Sequence, residues 1–172
     1  MTDLLPCPFG DADKMALAMV GVVFCMARDD AGLSIAEATS LSGVAPGDLI
    51  DAERGKDVPA LSLLRLCRLY EVDPFEWVGL APKLRECGLT PQEARVFTVL
   101  LCRGAATRVA MLTGLYRDSG RRGGGIVKVI VCNLRKKLKR LGIEIHTRRG
   151  EGWCLDEAQR ESLRQMHWRP QT

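Results

Sequence analysis

Apolar residues recur at helical spacing along most of the chain, and only one stretch alternates as a strand does. Residues 15–27 are apolar at nearly every position, which predicts a helix running to about Asp30 and ending at Gly32. Such a helix is either buried all round or keeps an apolar face for a partner. Ahead of it, residues 1–13 carry Pro6, Pro8 and Gly10 with little periodicity and are expected to form a flexible arm. Ser34, with Glu37 three positions on, forms a capping box that opens a short helix ending near Gly43. Ala45-Pro46-Gly47-Asp48 then opens another, carrying Leu49, Ile50 and Ala52 to Gly55.

Farther along, Gly79-Leu80-Ala81-Pro82-Lys83 has the composition of a linker. Thr90-Pro91-Gln92-Glu93 is a second capping box, ahead of Ala94, Val96, Phe97, Leu100 and Leu101, and Thr107 caps a helix carrying Val109, Met111, Leu112 and Leu115. Val127, Val131, Leu134, Leu138 and Leu141 form one stripe of a third helix, which Gly142 stops. Ile143, Ile145 and Thr147 alternate with Glu144, His146 and Arg148, Gly150 and Gly152 permit a turn, and Trp153-Cys154-Leu155 begins a return strand. The tail, 157–172, carries a helix expected from Asp156 to Trp168, with Leu163 and Met166 placed to dock on the body.

Charge divides the chain in two. Residues 1–80 hold 6 basic and 13 acidic residues, a net −7, and residues 81–172 hold 19 and 8, a net +11. The overall +4 conceals this asymmetry. No acidic residue lies between Asp118 and Glu144, so the third helix of the basic half presents Lys128, Asn133, Arg135, Lys136, Lys137, Lys139 and Arg140 undiluted. A polyanion is the partner such a surface implies. The loop ahead of that helix, Asp118-Ser119-Gly120-Arg121-Arg122-Gly123-Gly124-Gly125, is basic and glycine-rich, with backbone able to approach phosphate closely; a plain flexible turn is the alternative.

Two family resemblances rest on these residues. Val127-x-Val129-x-Val131-x-x-Leu134-Arg135-Lys136-x-Leu138, followed by Ile145-x-Thr147-x-Arg149-Gly150-x-Gly152-Trp153-x-Leu155, resembles the winged-helix effector domain of OmpR/PhoB-type response regulators. The resemblance implies a recognition helix and a wing, with Ile126, Val129, Ile130 and Asn133 toward bases, Arg135 near phosphate and Arg149 at the minor groove; in such relatives the loop holding Arg121 and Arg122 can touch RNA polymerase. Lys128 stands where the family usually has an acidic residue, so no sequence preference carries over. Residues 14–80, through Leu33-Ser34, Gly43-Val44, Glu53-Arg54-Gly55 and the closing Tyr70-Glu71-Val72-Asp73-Pro74-Phe75, resemble the Cro/cI-type helix-turn-helix domain. Its base-reading positions are Ala45, Pro46, Gly47, Asp48 and Asp51 here, and no lysine or arginine lies between Arg28 and Arg54. These residues suit protein docking or dimerisation better than base reading.

The expected fold is therefore mainly α: an N-terminal helix-turn-helix bundle over 14–80, then a winged-helix domain over 84–156 with a small C-terminal β-hairpin. No catalytic motif is present, and no cofactor is implied. The seven cysteines are single, odd in number and never spaced as CxxC, a pattern of reduced thiols in the cytoplasm, and His146 and His167 have no partner at metal-ligand spacing. The run 15–27 is shorter than the ~20 residues a membrane span needs, and no export signal is read there.

The expected function is a sequence-specific transcription regulator, bacterial or phage, that binds double-stranded DNA through the winged helix as a homodimer. The competing expectation is an adaptor whose acidic module binds RNA polymerase, a sigma factor or another regulator, with only weak nonspecific DNA contact. In the wing, alternation sends Arg148 and Arg149 to opposite sides. Arg149→Ala is predicted to cost about 1–3 kcal/mol of specific binding in a competition titration with A·T-rich duplex. A larger loss from Arg148→Ala would put the wing register off by one.

Overall fold

The computed structural model describes residues 10–116 and 125–165. Among them the chain is mainly helical, with a small three-stranded antiparallel sheet. The helices are α1 (Gly10–Asp30), α2 (Ile35–Ser42), α3 (Pro46–Glu53), α4 (Ala60–Tyr70), α5 (Pro74–Glu86), α6 (Pro91–Arg103), α7 (Arg108–Leu115), α8 (Gly125–Leu138) and α9 (Glu157–Gln165). The strands are β1 (Ala105–Ala106), β2 (His146–Arg148) and β3 (Gly152–Cys154), in the sheet order β1-β3-β2.

Both capping boxes form. Ser34 N–H donates to Glu37 Oε2 at 2.8 Å while Ser34 Oγ accepts from Glu37 N–H, and Thr90 and Glu93 repeat the exchange at α6. Thr107 Oγ1 accepts from Ala110 N–H and opens α7. These starts depend on side chains three residues apart.

The apolar run 15–27 lies at the centre of the molecule. Met15, Met19, Val22 and Phe24 are fully buried, because α3, α5 and α6 pack around α1. The buried alternative thus holds for this helix, and its own chain supplies the cover. Burying four such side chains contributes roughly 1.5–3 kcal/mol each. The helix also begins at Gly10, so 10–13 are not part of an arm; residues 1–9 lie outside the described residues. Likewise Gly79 to Lys83 is not a linker but the second half of α5, where Trp77, Leu80, Ala81 and Leu84 are buried at helical spacing. Pro82 sits on the exposed side of that helix, and burial of its neighbours outweighs the backbone hydrogen bond it lacks. One apolar cluster consequently extends from Met15 to Leu163 across both halves of the chain.

What allows α1 to sit so close to α3 is glycine on both sides. A Cβ on Gly21 would lie 2.6 Å from the Ala52 carbonyl oxygen and 2.7 Å from the Gly55 nitrogen, and one on Gly55 would lie 2.6 Å from Ala18 Cα. Buried polar groups secure this contact. Arg28 Nε donates to Glu53 Oε1 at 2.7 Å, and Glu53 is only 2% exposed. Burial opposes the Arg28 charge, yet the hydrogen bond and charge of Glu53 hold its pKa above the ordinary guanidinium value. From α6, Arg95 donates to the carbonyls of Gly114 (2.8 Å), Ala18 (3.4 Å), Arg54 (3.2 Å) and Glu53 (3.4 Å). Burial pushes its pKa down. These bonds tie α7, α1 and the end of α3 to one side chain.

The alternation over 143–148 yields a strand only over its last three residues, with Ile143 and Ile145 buried ahead of it. Strand β1 is an addition that two alanines gave no periodicity to predict. It pairs Ala105 with Cys154 and Ala106 with Trp153, and it brings the hairpin against the start of α7. In the tail, α9 buries Leu163, and Arg160 donates to the Leu101 and Cys102 carbonyls at 2.9 and 2.8 Å, capping the end of α6. Met166, His167 and Trp168 lie outside the described residues.

Two glycines with similar backbone angles separate crowding from strain. Gly32 (φ +65°) has open space where a Cβ would stand, whereas Gly55 (φ +73°) faces α1 backbone. Gly32→Ala is expected to cost roughly 1–2 kcal/mol, the left-handed penalty alone. Gly55→Ala should cost distinctly more, because α1 and α3 must also separate. Thermal unfolding of the two variants measures the difference, and equal melting shifts would contradict the close-approach account.

Candidate nucleic-acid interface

Helix α8 is held to the body by Val127, Ile130, Val131, Leu134 and Leu138, all buried. Its outer surface carries Lys128, Val129, Cys132, Arg135 and Lys136, followed by Lys139 and Arg140 on a single 3-10 turn, Lys139–Leu141. Gly142, left-handed at φ +68°, closes the element, with Ile143 N–H bonded back to the Leu138 carbonyl at 3.2 Å. Cations in the last turn also suit the helix dipole. No carboxylate lies on α8 or this turn.

Not every expected contact residue belongs to this outer surface. Val129 is 59% exposed, but Ile130 is only 6% exposed and faces the core beside Val127 and Leu134, which removes it from any base-facing set. The reason is the width of the buried stripe, which spans positions 127, 130, 131, 134 and 138. Ile126 and Asn133 are half-buried at its margin. Lys137 does not face outward free: its Nζ donates to Glu93 Oε2 at 2.6 Å, joining α8 to the capping box of α6. Arg135 is exposed, but its Nε donates to the Ile145 carbonyl at 2.8 Å and one Nη to Thr147 Oγ1 at 2.7 Å. Lys128, Lys136, Lys139 and Arg140 have no ion pair among the described residues. Arg121 and Arg122 lie outside the described residues.

Beside α8 stands the β2–β3 hairpin, pairing His146 with Cys154, Thr147 with Trp153 and Arg148 with Gly152. Glu151 N–H bonded to the Arg148 carbonyl at 3.0 Å and Gly150 at φ +83° make the turn. Gly152 is required where β3 crosses β1, since any Cβ there would collide with the Ala106 carbonyl. Arg149 is exposed at the tip with no ion pair among the described residues, whereas Arg148 lies 3.9 Å from Glu151. His146 Nε2 lies 3.3 Å from Asp156 Oδ2.

The structure adds Arg108. It opens α7 and lines, with Thr107, Val109, Arg149 and Trp153, a groove of about 470 Å³ between that helix and the hairpin. A cation in the first turn of a helix opposes the dipole, and that mismatch was the signal available in the sequence. No group of three or more metal-ligating side chains occurs among the described residues. Nor is any described helix long and apolar enough to cross a membrane.

In the N-terminal half, the start of α3 presents Ala45, Pro46 and Gly47 to solvent. Asp48 Oδ2 accepts from Ser62 Oγ at 2.6 Å and Asp51 pairs with Lys56 at 2.8 Å, so both carboxylates serve internal contacts.

Comparison with family models, with characterised proteins and with solved structures gave no match.

The cysteines report on this geometry. Burial pushes the Cys102 thiol up to about 11, which leaves on the order of one thiolate in a thousand at pH 8, while Cys132 stands exposed on α8. Brief treatment with iodoacetamide at pH 8 should therefore label the peptide holding Cys132 and spare that holding Cys102. Mass spectrometry reads the ratio, and labelling of Cys102 first would contradict this placement of α6 and α8.

Proposed function

We propose that the chain is a transcription regulator that binds double-stranded DNA through the outer surface of α8 and the β2–β3 turn. The observation that carries this reading is the unpaired set Lys128, Lys136, Lys139 and Arg140, on a surface without carboxylates, beside a glycine-built turn carrying Arg149. A helix of this width fits a major groove, and a hairpin two strands wide reaches the adjoining minor groove or its phosphates. The order α6, β1, α7, α8, β2, β3 and the sheet order β1-β3-β2 support assigning this half as a winged helix, with α8 the recognition helix and the hairpin the wing.

In the same reading, α2 and α3 form a helix-turn-helix that does not read bases. Its exposed opening offers Ala45, Pro46 and Gly47, which supply no side-chain donor, and Asp48 is held by Ser62. The N-terminal half then serves assembly or protein contact. With α1 covered, the exposed apolar side chains Leu41, Leu61, Leu64, Phe75 and Val78 are the ones available for a second copy or for RNA polymerase. Pairing two copies would raise the effective concentration of the second winged helix at a paired site.

The test uses the full chain and a duplex of mixed sequence. Affinity should fall steeply with salt, and Lys136→Ala or Lys139→Ala should each flatten the slope of log affinity against log salt by roughly one unit per lost phosphate contact. Bound duplex should also protect Cys132 from alkylation. A chain that ignores duplex at low salt, or binds it while Cys132 stays fully reactive, excludes α8 as the contact surface.

A further inference from the structure

We infer that Arg135 is a positioning residue: it braces the wing against α8 and so sets where Arg149 stands, instead of contributing mainly as a phosphate contact. This rests on the reading of α8 and the hairpin as a DNA interface.

Strand β2 is the outer strand of the sheet, so one of its edges has no strand partner. It is short, His146–Arg148, and the turn leads straight from it into β3. A three-residue strand anchored on one side can pivot about its ladder. Arg135 acts on that strand at two points. Its Nε holds the Ile145 carbonyl at 2.8 Å, and the Nη on the same side of the guanidinium holds Thr147 Oγ1 at 2.7 Å. The guanidinium is planar and rigid, so two bonds to residues two apart fix both the distance and the tilt of β2 relative to α8. Arg149 is two residues past Thr147, roughly 7 Å along the chain, and inherits that setting. Ile145 is buried, which makes its carbonyl a firm anchor.

The neighbouring cations set the contrast. Lys136 and Lys139 have no partner in the described structure and are free to meet phosphate, whereas Arg135 has directed two of its N–H donors inward. A phosphate contact needs charge, which lysine also supplies. A brace needs the fork, which lysine lacks, and it needs the Thr147 hydroxyl, which carries no charge at all.

The experiment measures binding of an A·T-rich duplex to the full chain and to Arg135→Lys, Thr147→Val, Thr147→Ser and Arg149→Ala, alone and combined. Arg135→Lys and Thr147→Val should each weaken binding roughly tenfold and Thr147→Ser should not. On the Arg149→Ala background the first two should cause little further loss, because the group they position is already absent. Thr147→Val should leave the salt slope unchanged. Amide exchange of 145–149 in the DNA-free protein should speed up in Arg135→Lys. The inference is overturned if Arg135→Lys binds like the parent chain, or if its loss is the same with and without Arg149. A parent chain that binds no duplex is a separate outcome: it removes the DNA reading, and unchanged amide exchange in Arg135→Lys would then overturn the brace as well.

Discussion

Everything else in the molecule depends on how closely α1 approaches the end of α3. Backbone meets backbone there at Gly21 and Gly55, with no side chain between them. Bare peptide groups brought together this way need hydrogen-bond partners, or burial becomes expensive. Arg95 supplies them, reaching from α6 to carbonyls of Ala18, Glu53 and Arg54. The residue that completes the N-terminal half is thus contributed by the C-terminal half. A chain whose charge divides so sharply nonetheless shares one core, with α1 as its common wall.

This sharing explains which parts of the fold were legible in the sequence. Helix starts depend on neighbours three or four residues away, and Ser34, Thr90 and Thr107 marked them correctly. The stripe on α8 was equally local. The linker was misread because Gly79 and Pro82 are breakers by intrinsic preference, while the burial of Leu80, Ala81 and Leu84 that overrides them depends on α1, far earlier in the chain. The cover over α1 was hidden for the same reason: periodicity shows that a helix is apolar all round, not what surrounds it.

The candidate interface was legible as a charge distribution but not as a contact list. The run from Lys128 to Arg140 identified the helix, yet composition treats every cation alike. Arg135 and Lys137 turn out to hold the protein together, through Thr147 and Glu93, while Lys136 and Lys139 face outward. Ile130 went the other way, from an expected outer position into the core, since a helix packed on both α6 and α7 buries a wider arc than a single heptad-like stripe suggests. Arg108 was overlooked because its place beside the hairpin comes from β1, a two-residue strand with no pattern to read.

A wall shared between distant parts of the chain also governs how the protein is made. Ala18 and the Arg95 that donates to its carbonyl are 77 residues apart. At synthesis rates of roughly 5–20 residues per second, that separation is a delay on the order of 4–15 s, during which the most apolar helix of the molecule lacks its final cover. α3, α4 and α5 arrive first and shield part of it. The face of α1 that packs on α6 stays open until α6 itself has emerged, so the apolar core closes only when the C-terminal half is made.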